Sequence, residues 1–349
     1  MSIIQSNKEN FTNEPKSPIV TESFRLSELA TRQLLIAPNA FAEFQQQTNL
    51  ADFFWQTTYT QTILSDAPFN HLARSVDGFV IFLHGWDGSH RIWEDLPARL
   101  TECLPNVVCL NADANGFNGT FFLNNTPTPP EKASLLNAMI AVEKWLEIIG
   151  LWPLPQRSRR PFYLFVGHSM GAGMMFYKNQ PAWQEDRYGC YIMAPGMFYN
   201  NIRRNLLYRL VATLTRIPHI TPLKNLAARI VVHIAMKDAS RLAQYEHINT
   251  FYNSSFPTLI ATLDGIGKSP KPPRTDWSQY QVTLGHADIL VRVGATVNML
   301  RELGFTSDQI KLLVGDHYFF SYDETSPINH KYNREVVLND LVAWCGRLK

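Results

Sequence analysis

A serine stands between two glycines in Gly167-His-Ser-Met-Gly171, directly after the apolar run Phe162-Tyr-Leu-Phe-Val166. A serine hydroxyl is a weak nucleophile at neutral pH. It attacks a carbonyl only when a base takes its proton and a carboxylate holds that base in the right tautomer. Further along the chain, Gly285-His-Ala-Asp-Ile289 follows the strand-like Tyr280-Gln-Val-Thr-Leu284, and Gly315-Asp-His-Tyr318 follows Ile310-Lys-Leu-Leu-Val314. Ser169, Asp288 and His317 are therefore the candidate nucleophile, acid and base. A G-x-S-x-G pentapeptide arises by chance in roughly one chain in ten to twenty of this length, so its context decides. Here a strand precedes it, a helical pattern follows it, and small residues flank the serine two places on either side, as a sharp strand-to-helix turn requires.

Other residues compete for these roles. Asp238 follows Ile230-Val-Val-His-Ile-Ala235 and Asp264 follows Leu259-Ile-Ala-Thr-Leu263, and either run could be a strand. Asp316 is disfavoured as the acid because it adjoins His317 and would have difficulty reaching that ring. His286 is the first alternative base, and His84 lies in the turn after the first clear strand. A developing oxyanion needs N–H donors, and losing one typically costs about 3 kcal/mol in the transition state. The turn in Phe82-Leu-His-Gly-Trp-Asp-Gly-Ser89 could aim the backbone N–H of Trp86, and the turn at the serine could aim that of Met170. Phe117, Phe121, Phe122, Phe198 and Tyr199 suggest an apolar acyl pocket, with His168 as a packing or substrate-side residue.

From residue 78 onward, strand-like and helix-like segments alternate, which predicts a parallel sheet covered on both faces. Strands are expected at Phe79-Val-Ile-Phe-Leu83, Val107-Val-Cys-Leu110, Phe162-Tyr-Leu-Phe-Val166, Cys190-Tyr-Ile-Met193, Tyr280-Gln-Val-Thr-Leu284 and Ile310-Lys-Leu-Leu-Val314. Ile92, Trp93, Leu96 and Leu100 share one helical face. Thr128-Pro-Pro-Glu131 predicts the start of a helix carrying Leu135, Met139, Val142 and Leu146. Another helix is expected from about Ile289, and a last one with Val337, Leu341 and Trp344. In parallel sheets, ligands and catalytic groups gather at the C-terminal strand edge, where Ser169, Asp288 and His317 would all emerge. Residues 198–278 interrupt the alternation and read as an inserted cap, whose first helix would align Ile202, Leu206, Leu207, Leu210 and Leu214. Residues 1–22 read as a flexible leader, and the pattern from there to about 75 predicts no definite elements.

On these residues the chain resembles the α/β-hydrolase superfamily, specifically its capped members with an HGW or HGF oxyanion turn. The carboxylesterase of biotin synthesis and several esterase and lipase-like families share that arrangement. Asp113-Ala-Asn-Gly-Phe-Asn-Gly-Thr120 resembles the superfamily's D-x-x-G-x-G-x-S loop, with one extra residue between the glycines. The likeness covers about residues 78–197 and 279–349. It implies an α/β fold with a mostly parallel sheet flanked by helices, an inserted helical cap, a core of residues 23–197 and 279–349, and a Ser169–Asp288–His317 triad. Relatives that hydrolyse epoxides or haloalkanes use an aspartate in the elbow, so Ser169 points to acyl transfer through a covalent acyl-enzyme. Water is the expected acceptor. An acyltransferase or thioesterase would carry the same residues, and a non-catalytic binding member of the fold would be expected to have lost one of them.

Composition narrows the remaining choices. Apolar residues make up 45% of the 349 and charged ones 18%, enough for a large core. With 32 basic against 30 acidic residues the net charge is +2, too small to imply a nucleic-acid partner. Cys103, Cys109, Cys190 and Cys345 have no zinc or disulfide spacing and read as buried thiols. No metal or organic cofactor is implied, and the expected partner is a small acyl substrate. Arg203, Arg204, Arg209 and Arg216 beside the first cap stripe would suit a membrane surface, but packing over the site mouth is the favoured reading. The start lacks a signal-like pattern and no run of 18 apolar residues occurs, so a cytoplasmic enzyme is expected. The oligomeric state is not fixed by the sequence.

Overall fold

A strand that is apolar on both faces must be covered on both sides, and the chain meets this condition with helices over a central sheet. The structure, a computed structural model, describes residues 18–61, 75–153, 160–179, 183, 186–197, 226, 228–230, 232–233, 236–273 and 276–349. Its strands are β1 (Ile19–Arg25), β2 (Leu50–Asp52), β3 (Phe54–Thr60), β4 (Gly78–Leu83), β5 (Val107–Ala112), β6 (Phe121–Phe122), β7 (Phe162–His168), β8 (Tyr188–Met193), β9 (Tyr280–Gly285) and β10 (Ile310–Leu313). Among the described residues, eight of them form one sheet in the order β1-β3-β5-β4-β7-β8-β9-β10. The β1–β3 and β3–β5 pairs are antiparallel, and every pairing from β5 to β10 is parallel. β2 and β6 form a small separate ladder.

The two faces of β4 show how the layers are built. Phe79, Ile81 and Leu83 belong to one buried cluster, with Val142 and Trp145 of α4 (Leu135–Ile148). Val80 and Phe82 belong to the other, with Leu96 and Leu100 of α3 (Leu96–Cys103) and Val337, Leu341 and Trp344 of α9 (Ile328–Leu348). The alternation is the strand period of two, read against a layer on each side. α5 (Met170–Met174) follows β7, and α6 (Arg241–Asn253) and α7 (Phe256–Gly267) lie between β8 and β9. α8 (Val293–Glu302) lies between β9 and β10. No described helix is long and apolar enough to cross a membrane.

Several boundaries differ from expectation, each for a local reason. β1 begins at Ile19, so the expected leader gives way to a paired strand before residue 22. The segment around Ile92 and Leu96 breaks at Glu94 (φ 54°, ψ −125°), whose carboxylate accepts from Ser240 Oγ at 2.5 Å and Ser321 Oγ at 2.8 Å and pairs with Arg334 at 3.0 Å. Pro130–Ala133 makes only a 3₁₀ turn, and α4 starts after Ser134, whose hydroxyl accepts from Asn137 N at 3.3 Å. α8 starts at Val293 rather than 289, because the Leu290 and Val291 amides turn inward onto Asp288. Cys103 is exposed, unlike Cys109, Cys190 and Cys345. The expected helix through Ile202 and Leu214 lies outside the described residues.

The N-terminal stretch that periodicity left unplaced supplies α1 (Leu26–Thr31), α2 (Ala40–Thr48) and the antiparallel strands β1 and β3. It is fastened to the core by aromatic packing. Trp145 of α4 stacks on Phe53 at 4.9 Å and meets Trp55 at 5.2 Å, and Trp55 stacks on Phe24 at 5.6 Å. Trp145 is fully buried. Trp145→Ala is expected to destabilise the chain by about 3–5 kcal/mol, read as a lower midpoint in urea unfolding, since a buried tryptophan is replaced by a cavity.

Candidate functional site

β7 ends in a sharp turn at Ser169, which takes φ 51° and ψ −113° and opens α5. Such a backbone costs about 1–3 kcal/mol and persists only where its surroundings hold it. Four backbone hydrogen bonds do so: Ser169 N to Met193 O at 2.9 Å, Gly171 N to His84 O at 3.0 Å, Gly173 N to Ser169 O at 2.9 Å, and Gly196 N to Ser169 O at 2.7 Å. A side chain at Gly171 would collide with the carbonyl oxygens of Leu83 and His84, so only glycine lets the turn close against β4. From residue 161 to 178 every residue is buried except Ser169, which is half-exposed. A Cβ at Gly196 would fall 3.3 Å from Ser169 Oγ and 3.2 Å from Met170 N, so the bare glycine leaves room beside both atoms.

The loops after β9 and β10 bring Asp288 and His317 together. His317 Nδ1 lies 2.7 Å from Asp288 Oδ2, and both side chains are almost wholly buried. A carboxylate only accepts, so Nδ1 carries the proton and the neutral ring keeps its lone pair on Nε2. The other oxygen, Asp288 Oδ1, accepts from Leu290 N at 2.8 Å and Val291 N at 3.1 Å. His286 N donates to Leu313 O at 2.8 Å and Ala287 N to Gly315 O at 2.9 Å, which zips the two loops side by side. A side chain at Gly285 would strike the Asp316 carbonyl oxygen, so this contact too depends on glycine.

The turn after β4 is held by a buried polar set. His84 Nε2 accepts from Ala114 N at 2.9 Å, so its Nδ1 carries the proton donated to Gly85 O at 2.7 Å. Burial lowers the basicity of His84 against the pull of Asp113, which keeps the ring neutral. Asp113 accepts from His90 N at 2.7 Å, His90 Nδ1 at 2.9 Å, Asn118 Nδ2 at 2.7 Å and Gly119 N at 3.0 Å. Burial penalises the Asp113 charge, but the hydrogen bond and charge of His90 outweigh that and hold its carboxyl below the usual range. The loop that differs by one residue from the D-x-x-G-x-G-x-S pattern is thus closed on its own aspartate. Trp86 is half-buried at this turn, its indole N–H donating to Thr262 Oγ1 at 2.9 Å.

The remaining sequence candidates fall in different places. Asp264 lies on helix α7, paired with Lys268 at 2.8 Å, so the run before it is not a strand. Residues 230, 232 and 233 of the run before Asp238 are also helical. Asp316 accepts from Tyr318 N at 2.8 Å and lies 4.0 Å from His330. His286 is exposed. His168 is fully buried, and its Nε2–H donates to the His317 carbonyl at 3.0 Å. Phe117 is fully buried edge-on to Trp86 at 6.3 Å. Phe122 is buried, whereas Phe121 is 40% exposed with Arg25 over its ring. Phe198 and Tyr199 lie outside the described residues. Sequence reasoning missed Glu246, His247, Thr262 and Tyr318, all of which are buried around the turn at 85–91 or the His317 loop. No local motif announces them. Among the described residues no group of three or more His, Cys, Asp or Glu side chains is placed to hold a metal ion.

No protein-family model matches the sequence, and no curated protein is similar to it. Solved structures do resemble it. A hydrolase from Oleispira antarctica superposes with a TM-score of 0.59 at 14% identity, covering 88% of this chain and 97% of that one. A carboxylesterase from Nitrososphaera gargenis superposes at 0.58 with 12% identity, covering 85% and 96%. A laboratory-evolved potato epoxide hydrolase superposes at 0.55 with 14% identity, covering 85% and 96%. The likeness is one of architecture, and the chain has the α/β-hydrolase fold.

The glycine contact between the two loops can be tested directly. Gly285→Ala is expected to lose about 1–3 kcal/mol of stability in urea unfolding, as overpacking against backbone does. Gly294→Ala on α8, where a Cβ meets nothing within 4 Å, is expected to match or exceed wild type.

Proposed function

We propose that the chain is a serine hydrolase that cleaves a carboxylic ester or related acyl compound through an acyl-enzyme intermediate. The observation that carries this reading is the buried 2.7 Å bond between His317 and Asp288, on the same sheet edge as a half-exposed serine in a strained turn. In the proposed reaction Ser169 Oγ attacks the carbonyl carbon while His317 Nε2 takes the hydroxyl proton. Asp288 stabilises the imidazolium that forms. The oxyanion is received by the N–H groups of Trp86 and Met170. Collapse expels the alcohol, which takes its proton from His317, and water then repeats the sequence on the acyl-enzyme.

The structural neighbours include esterases and epoxide hydrolases, and the serine in the elbow favours acyl chemistry over epoxide opening. The segment between β8 and β9 acts in this reading as a cap. Its aromatic Phe251 packs edge-on to Trp86 at 6.1 Å, which supports an apolar acyl group as the preferred one.

Ser169 is expected to form a covalent adduct with a fluorophosphonate probe in intact-protein mass spectrometry, and Ser169→Ala to form none; equal labelling of the alanine variant would sink the assignment. With p-nitrophenyl esters of increasing acyl length as substrates, Asp288→Asn should lower kcat about a thousandfold or more. Asp264→Asn should stay near wild type, and a large loss there instead would move the acid to α7.

A further inference from the structure

The turn at 85–91 is gripped from outside by α6 and α7, which lie between β8 and β9. Thr262 of α7 accepts from the Trp86 indole. Glu246 of α6 accepts from Ser89 Oγ at 3.1 Å and Arg91 Nη1 at 3.0 Å. Its neighbour His247 brings Nδ1 to 3.8 Å from Asp87 Oδ2. On its other side, His247 Nε2 is hydrogen-bonded to the Tyr318 hydroxyl. Tyr318 directly follows His317, and its ring lies 5.4 Å from that of His317 and 4.5 Å from that of His168.

The direction of this bridge is fixed. Burial, with His84 and His317 nearby, pushes His247 down to about 3, so the ring stays neutral with one N–H and one lone pair. Burial and the Asp87 charge keep the proton on Tyr318. Tyr318 O–H therefore donates to Nε2, which leaves the ring proton on Nδ1, the nitrogen that faces Asp87.

We propose that His247 is a positioning residue, which through Asp87 and Tyr318 holds the Trp86 turn in register with the His317 loop. The inference rests on the serine-hydrolase reading above and gives the segment between β8 and β9 a part in the chemistry beyond covering the site. A bridge that only stabilised the fold would change the melting temperature and leave kcat of the folded enzyme alone. A bridge that sets the distance between oxyanion donors and base must appear in kcat, because misplacement of about 1 Å can cost a hundredfold.

The test uses the full chain with p-nitrophenyl acetate as substrate and the fluorophosphonate labelling rate as a second readout. His247→Phe keeps ring volume and removes both ring nitrogens, the one bonded to Tyr318 and the one facing Asp87. Tyr318→Phe removes one hydroxyl and serves if the first variant folds poorly. Each is expected to lower kcat about tenfold or more with KM within about twofold, and to slow labelling of Ser169 in step. The double variant should fall no further than the worse single one, because both act through one bridge. His247→Gln, which retains a donor and an acceptor, should recover part of the loss. Tyr245→Ala, on the exposed side of the same helix, should keep wild-type kinetics. Wild-type kcat in the folded His247→Phe and Tyr318→Phe variants, or a loss confined to KM, overturns the proposal while leaving Ser169 labelling intact. Absence of labelling in wild type overturns the parent reading, and this inference with it.

Discussion

The hydrogen bond from His317 to Asp288 requires two loops to end their strands at the same level, and much of the architecture serves that condition. β9 and β10 are adjacent parallel strands, with Gly285 opposite Leu313 in register. Their loops touch backbone to backbone where glycine removes the obstructing side chain. A buried carboxylate loses several kcal/mol of hydration. Asp288 is compensated by three hydrogen bonds, one from His317 and two from its own turn, each worth about 1.5–3 kcal/mol as bonds to a charge. The turn amides also aim the remaining oxygen at the imidazole. Local chain direction and electrostatics thus act on one carboxylate.

Ser169 is placed by a different balance. Its backbone strain is offset by four hydrogen bonds that tie the turn to His84 after β4, to Met193 of β8, to the Gly196 loop and to its own helix. Because β7 sits between β4 and β8, the serine emerges in the middle of the sheet edge, with the Trp86 turn on one side and the Gly196 loop on the other. The polar groups beneath are satisfied in one arrangement. His84 is fixed in a single tautomer, and Asp113 closes its own loop. Burial holds His84, His168 and His247 below the ordinary histidine range, so these rings act as fixed neutral dipoles around His317. A neutral ring can hold its hydrogen bonds while charge develops beside it.

The composition of this edge explains why such dissimilar sequences share the architecture. The strands need only apolar residues on both faces, a condition that many sequences satisfy, which is consistent with 12–14% identity across most of the chain length. In this chain α6 and α7 are attached to the Trp86 turn through Thr262, Glu246 and His247. Those contacts belong to residues outside the sheet and have no counterpart in the short motifs at the strand ends.

The sequence by itself placed the six parallel strands and the candidate residues that follow them, because most of those strands are near-continuous apolar runs and the motifs after them are local. It also identified the serine turn, since glycines at both flanks are a steric necessity readable within five residues. Tertiary structure alone decided among the acids. Asp238, Asp264 and Asp288 each follow an apolar run, and only the placement of strands shows that one of them meets an imidazole. The antiparallel β1 and β3 escaped because their burial is irregular and their pairing spans distant residues. His247 and Tyr318 lie 71 residues apart in sequence, and their bond exists only because a helix after β8 folds back over a loop after β10. Periodicity reports which side of a segment is buried. It carries no record of what that side is buried against, and the site is made of such contacts.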